Sequence, residues 1–173
     1  MHEGAYKFIA GMVARLEPRT AVIELGSRTV AGDWPFSGPV RPLFDRAREY
    51  TGIDIAEGPN VDIVGNAATW RGEPGHLARV VDTVVCCETL EHTPEAERIC
   101  RNAHRLLCDG GVFLVTTAAD GRAPHSAVDG GPIRDGEFYW NIEPGMLRHW
   151  LQPFRFVLID TDTPTDIYAL AVK

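Results

Sequence analysis

Apolar residues at Ala5, Phe8, Ile9, Met12, Val13 and Leu16 recur at intervals of three and four, so the chain opens on an amphipathic helix that ends before Pro18. Beyond it the period changes. Residues 20–25, 50–55, 61–65, 81–86, 112–117, 155–161 and 166–172 are short apolar runs, the pattern of strands packed inside a sheet. Residues 94–107 carry the strongest helical stripe: Ala96, Ile99, Cys100, Ala103, Leu106 and Leu107. Thr93 is placed there as N-cap, Pro94 at the first helical position and Gly110 just past the end. Shorter helices are predicted within 40–48, around 75–79 and over 142–151. Asp162-Thr163-Pro164-Thr165 leaves room only for a tight connection. The last two strands therefore form an antiparallel hairpin at the edge of an otherwise parallel α/β sheet.

Two segments break the alternation. Residues 32–39 form a turn-rich loop carrying Trp34 and Phe36, aromatics that either line a ligand or keep the loop ordered. Residues 118–141, rich in Gly, Pro and Asp and without period, read as a lid or substrate loop because a helix and two strands follow it. No internal repeat is present.

Composition narrows the picture. A chain of 173 residues that is 45% hydrophobic suits one domain over 1–173, with a core but no length for a second. The formal charge is −7, only Lys7 and Lys173 are lysines, and the arginines are scattered singly, which argues against a surface that tracks nucleic-acid phosphates. There is no apolar run of membrane-spanning length, and Met1-His2-Glu3-Gly4 lacks the basic-then-apolar order of an export signal, so a cytoplasmic location is expected. Cys86, Cys87, Cys100 and Cys108 form no C-x-x-C pair, and read as reduced, mostly buried thiols.

The candidate chemistry lies at the strand ends. Ala21-Val22-Ile23-Glu24-Leu25-Gly26 and Gly52-Ile53-Asp54-Ile55 each carry an apolar run to a carboxylate, which brings Glu24 and Asp54 to the same carboxyl edge of a parallel sheet. Open α/β sheets bind ligands at that edge where strand order reverses. Two acids and a glycine turn there suit a nucleoside's hydroxyls beside a cationic group. After Gly26 come Ser27 and Arg28 rather than further glycines. The G-x-G-x-x-G cradle of a dinucleotide pyrophosphate is absent.

In order along the chain, Val22-Ile23-Glu24-Leu25-Gly26, Gly52-Ile53-Asp54, Val84-Val85-Cys86-Cys87-Glu88-Thr89-Leu90-Glu91-His92 and Leu106-Leu107-Cys108-Asp109-Gly110-Gly111-Val112-Phe113 resemble the motifs of the class I S-adenosylmethionine-dependent methyltransferases. The resemblance runs over nearly the whole chain. It implies a Rossmann-like three-layer sandwich with a seven-stranded, mostly parallel sheet and an antiparallel C-terminal hairpin. It also implies S-adenosylmethionine as cofactor and S-adenosylhomocysteine as product. Asp54 would accept hydrogen bonds from the ribose hydroxyls with Ile55 beside it, Gly26 would let the backbone approach the methionine part, and Glu24 would supply charge near its ammonium. Asn66 and Ala67 would border the adenine, and Cys87 and Glu88 would stand at the methionine end and the incoming acceptor.

Glu88-x-x-Glu91-His92 resembles a run that O-methyltransferases of ubiquinone biosynthesis use near a divalent cation. The reading preferred here assigns no metal: Leu90 packs, Glu91 is solvated, and His92 hydrogen-bonds the backbone. His92, with Glu88 beside it, is the candidate general base. His125, Tyr139 and Trp140 are candidate acceptor contacts, although Phe138 and Trp140 equally suit anchoring the loop. The expected reaction is methyl transfer to an oxygen or nitrogen of a small-molecule or glycan acceptor, with no membrane partner. A catalytically silent, cofactor-binding or protein-binding member of the same fold is the alternative.

Overall fold

The computed structural model describes residues 2–16, 21–30, 39–72 and 81–173. Its strands are β1 (Ala21–Leu25), β2 (Glu49–Asp54), β3 (Ile63–Val64), β4 (Val81–Cys87), β5 (Leu107–Ala118), β6 (Phe156–Asp160) and β7 (Asp166–Val172). They lie in one sheet in the order β3-β2-β1-β4-β5-β7-β6. Pairing is parallel from β3 to β5 and antiparallel where β7 enters between β5 and β6, as the tight connection before it requires. The strand order reverses between β1 and β4. Leu25 pairs with Ile53 on one side and Glu24 with Val85 on the other, so the carboxyl end of β1 opens into a crevice.

Helices α1 (Glu3–Val13), α2 (Ala96–Leu106) and α3 (Pro144–Trp150) cover the two faces. Side chains of β1 alternate between them, since successive residues of a strand point to opposite sides. Val22 joins Ile9 of α1, Val40, Phe44, Val85, Val112 and Leu114, whereas Ile23 and Leu25 join Val84, Cys86, Phe113 and the buried stripe of α2, Ile99, Cys100 and Ala103. Both layers are apolar and closed, so β1 is buried along its whole length. Among the described residues no helix is long and apolar enough to cross a membrane.

Several boundaries differ from the sequence reading. Thr93 does not cap the helix: its Oγ1 accepts the N–H of Glu95 at 3.1 Å, and α2 starts two residues later, at Ala96 rather than Pro94, with Glu95 as a cap that makes no side-chain bond. Gly110 does not stop it either. Leu107 passes directly into β5, and Gly110, at φ +78, lies within that strand with its N–H on the carbonyl of Lys173 at 2.9 Å. The third strand is two residues long, because Asp62 pairs by side chain and backbone together. Its Oδ2 accepts the N–H of Gly52 at 2.7 Å and its own N–H donates to Gly52 O at 2.9 Å. Between 40 and 48 only a 3₁₀ turn forms, Arg41–Phe44. Trp34, Phe36 and the helix expected around 75–79 lie outside the described residues.

Residues 119–143 run from the end of β5 to α3 and are tied at several points. Ile142 N–H donates to Ala118 O at 2.9 Å, Ser126 Oγ donates to Glu137 at 2.8 Å, and Arg134 pairs with Asp129. Trp140 anchors the segment twice, its backbone N–H on Glu91 O and its indole Nε1 on Leu90 O, both at 2.9 Å.

Candidate active site

Gly26 stands where β1 leaves the sheet, at φ +80, a conformation that L side chains rarely adopt. A Cβ there would also fall inside the side chain of Thr89, whose hydroxyl donates to Cys87 O at 3.1 Å. The turn therefore presses against the strand end of β4 with no room between. From this point a cavity of about 250 Å³ extends both ways. Towards β2 it is lined by Glu24, Arg28, Asp54 and Ile55, towards α2 by Asn66, Ala67, Glu95 and Ile99, and past β4 by Cys87, Glu88, Thr89 and His92. All eight candidate cofactor residues and both candidate catalytic residues share this one surface.

Their electrostatics differ. Glu24 is 4% exposed, and its Oε2 accepts Tyr50 Oη at 2.7 Å and Asn60 Nδ2 at 2.8 Å. Burial pushes its pKa up to about 7, against the pull of Tyr50, Asn60 and Arg41. Asp54 is held differently: Oδ2 accepts the backbone N–H of Arg28 at 3.0 Å, Oδ1 accepts that of Ala56 at 3.1 Å, and the Arg28 Nε lies 3.8 Å from Oδ1. Ile55, next in sequence, is 75% exposed and forms an apolar wall of the cavity. Asn66 accepts Ala68 N–H at 2.7 Å and donates to Glu95 at 2.8 Å, so its amide shapes the opposite wall. The Cys87 Sγ lies 3.0 Å from Thr116 Oγ1, and burial pushes its thiol well up, which keeps it protonated.

At the far end polar atoms are buried without partners. Glu88 has a left-handed backbone, φ 51, and its Oε2 is 3.3 Å from Nε2 of His2, while Oε1 has no partner. Burial would raise its pKa, but the hydrogen bond and charge of His2, with Arg122 behind, hold it below the usual carboxylate range. Glu91 is 0% exposed, which corrects the expectation of a solvated acid: the 3₁₀ turn Leu90–His92 is folded under residues 119–143 by Trp140. Its Oε2 accepts Thr117 Oγ1 at 2.8 Å, and burial with the neighbouring charge of Glu88 raises its pKa to about 8. Burial and the charge of His125 lower His92 to about 4, so its ring is neutral, and Nδ1 makes no hydrogen bond rather than the backbone bond expected. The side chains of Glu88-x-x-Glu91-His92 diverge. Glu88 converges with His2 and Asp166, whereas Glu91 and His92 converge with His125, each trio having ligand-type atoms within 4.8 Å.

The rings of His125 and Tyr139 meet that of His92 edge-on at 4.9 and 5.4 Å, and Tyr139 Oη is buried without a partner. None of His125, Tyr139 and Trp140 lines the cavity itself, and Trp140 does not pack on His92 either. Its indole turns inward to Trp150, ring centroids 5.9 Å apart, as the loop anchor described above. Sequence reasoning missed Tyr50, Asn60, Thr89, Arg122, Asp166 and His2. Thr89 lies within the motif that ends at His92 but carries no chemistry there, the others belong to no motif, and only the Gly58-Pro59-Asn60 turn signal marks Asn60, at φ 73, as a residue suited to a left-handed position.

Comparison with known proteins agrees with this geometry. The methyltransferase-domain family model matches residues 37–115. A Burkholderia thailandensis 1,6-didemethyltoxoflavin-N1-methyltransferase, solved with its substrate and S-adenosylhomocysteine, superposes with a TM-score of 0.66 at 16% identity over 99% of this chain and 79% of its own. The N-methyltransferase NodS of Bradyrhizobium japonicum, solved with S-adenosylhomocysteine, gives 0.63 at 10% identity, over 98% and 86%. A Synechocystis magnesium protoporphyrin IX methyltransferase with S-adenosylmethionine gives 0.62 at 17%, over 98% and 80%. No curated protein sequence matches the chain. The family model matches through β2 and β4 into β5, and these solved methyltransferases share the fold of this chain, with its strand order reversing at Gly26.

Proposed function

We propose that this chain transfers a methyl group from S-adenosylmethionine to an oxygen or nitrogen of a small-molecule or glycan acceptor. One observation carries the reading: a single cavity joins the acid at the end of β2 to a neutral, unpartnered imidazole beyond β4. The donors fit such a cofactor. Asp54 suits two ribose hydroxyls, Ile55 offers an apolar face to a ring, and the buried Glu24 faces the cavity where an ammonium would ionise it. The buried Ser27 Oγ has no partner in the protein and stands beside Gly26 on the same lining.

When bound, the cofactor supplies an electrophilic methyl on a sulfonium. The protein supplies alignment and exclusion of water more than covalent chemistry. His92, neutral throughout the physiological range, takes the acceptor's proton at Nδ1. Tyr139 and His125 fix the plane of that ring from its edges. Glu88 Oε1 accepts a hydrogen bond from the acceptor and orients its lone pair.

The test has two stages. Calorimetric titration with S-adenosylhomocysteine establishes the cofactor; no binding favours a protein-binding member of the fold instead. A panel of phenols, amines and sugars, read by S-adenosylhomocysteine formation, then identifies the acceptor. With it, His92→Ala lowers kcat while leaving S-adenosylhomocysteine affinity unchanged, and EDTA has no effect. EDTA-sensitive turnover restored by Mg²⁺ would replace the base with a cation site.

A further inference from the structure

We infer that His2, ahead of α1, is a positioning residue that selects acceptors bearing an amine or other donor hydrogen, by clamping one oxygen of Glu88 so that the other faces the methyl-transfer end of the cavity. The inference rests on the function proposed above and concerns a residue outside every motif.

His2 Nε2 lies 3.3 Å from Glu88 Oε2 and 3.2 Å from Asp166 Oδ1. Asp166 is further engaged by Arg122, and Tyr168 Oη is 3.3 Å from its Oδ2. The charged and titratable groups facing the imidazole are therefore Glu88 just past β4, Asp166 and Tyr168 from β7, and Arg122 from the segment after β5. Two carboxylates meet two cations. With a neutral residue at position 2, both acids would share Arg122, and the buried Glu88 would tend to take a proton and present a hydroxyl instead of an acceptor oxygen. Burial lowers the ring's pKa, but the carboxylates of Asp166 and Glu88 beside it outweigh that and raise it to about 9, so the clamp is charged at neutrality.

The clamp is held by the packing of α1 on the sheet. A Cβ at Gly4 would fall inside the Tyr168 hydroxyl, so only glycine lets the first turn of α1 lie on β7. Phe8 stacks on the Tyr168 ring at 5.1 Å, Ala5 and Ile9 are fully buried, and Tyr6 N–H donates to His2 O at 3.1 Å. At the other end Glu88 is kept in its left-handed backbone by its N–H on Thr116 O at 2.9 Å. Strain of this kind persists only where the surroundings over-determine it. The result is a carboxylate with Oε2 beside His2 and Oε1 buried and unpartnered, on a residue that lines the cavity. Such an oxygen is satisfied by an N–H or O–H of the acceptor, and most strongly by an ammonium.

Sinefungin tests this without a known acceptor, since it carries an amine where the cofactor carries its methyl group. Calorimetry at pH 7.5 should give the wild type at least a tenfold preference for sinefungin over S-adenosylhomocysteine. His2→Phe keeps a ring on Tyr168 but not the charge. It should retain S-adenosylhomocysteine affinity and lose most of the preference, and His2→Lys should restore it; Glu88→Gln should lose the preference too. A structural role would not be rescued by lysine. If the His2 variants do not fold, NMR titration of the His2 ring in the wild type and in Glu88→Gln decides, with a lowered midpoint in the variant expected. Equal affinities in the wild type, or a preference untouched by His2→Phe, overturn the inference. Failure to bind S-adenosylhomocysteine overturns the proposed function with it.

Discussion

Arg28 joins Asp54 to the segment after β5: its backbone N–H donates to Asp54 Oδ2 at 3.0 Å, and its guanidinium donates to the carbonyl of Ala127 at 3.2 Å. The acid at the end of β2 is thus fixed by main-chain donors, with the guanidinium as a longer ion pair at 3.8 Å from Oδ1. A carboxylate held this way keeps its orientation and retains lone pairs for a ligand.

Asp54→Ala removes charge-assisted hydrogen bonds of about 1.5 to 3 kcal/mol, hence about ten- to a hundredfold in S-adenosylhomocysteine affinity. Circular dichroism should show an intact fold, because Gly26 and Ser27 keep their own bonds to Ile53 O at 2.8 and 3.0 Å. A well-folded variant with wild-type affinity removes β2 from the binding site.

Glu24 has a pKa near 7, so at neutral pH it is partly protonated, and a cation arriving beside it drives the proton off. Titrations of S-adenosylhomocysteine at pH 7 in buffers of different ionisation enthalpy should show release of a fraction of a proton. In Glu24→Gln that release should vanish and binding should weaken. An unchanged buffer dependence in the variant assigns the proton elsewhere.

Gly26→Ala meets two obstacles, the left-handed backbone and the Thr89 side chain. The backbone alone costs about 1 to 2 kcal/mol. The single variant should melt lower and bind no S-adenosylhomocysteine, while Gly26→Ala with Thr89→Ala should recover part of the melting temperature but not the affinity. Additive losses in the double variant would mean that the two side chains do not compete for one space.

His92 and Glu91 make opposite contributions to stability against pH. His92 has a folded pKa lowered from 6.5 to about 4, so its stabilisation is present above 6.5 and is lost as pH falls through 4. Glu91 is raised from 4.5 to about 8, so what its neutral carboxyl contributes is present below 4.5 and lost as pH rises through 8. Relative to His92→Phe, the wild-type melting temperature should fall between pH 6.5 and 4. Relative to Glu91→Gln it should fall between pH 4.5 and 8. Parallel melting curves across either window contradict the corresponding shift.

The sheet was legible in the sequence because each strand is an apolar run bounded by turn residues, and the closing hairpin followed from the short connection after Asp160. Boundaries were less so. Leu107 satisfies a helical stripe and a strand equally well, and its pairing with Val81 of β4 decides for the strand. Asp54, Gly26, Glu88 and His92 were legible as neighbours because parallel strands deliver their ends to one edge. Glu91 was misread for want of Trp140: nothing local to Glu91 signals that an indole 49 positions on will fold its turn inward. His2 was invisible for the same reason, since its partners come from just past β4 and from β7 and its placement from a glycine that tolerates a tyrosine.

The insertion of β7 between β5 and β6 has a consequence for how the chain reaches its fold. The parallel pairings of β1 with β2 and β4, and of β4 with β5, join segments well separated in sequence, which slows folding. The antiparallel half adds a further delay: β6 emerges first, yet its pairing is to β7, and β5 is half-paired until β7 docks along it from Val112 to Ala118. Until that moment the middle of the sheet is an open edge of Phe113, Leu114 and Val115, the kind of edge that recruits other chains. Nascent or truncated forms that lack β7 are therefore the species most exposed to aggregation, and prompt docking of the final strand is what protects the centre of the sheet.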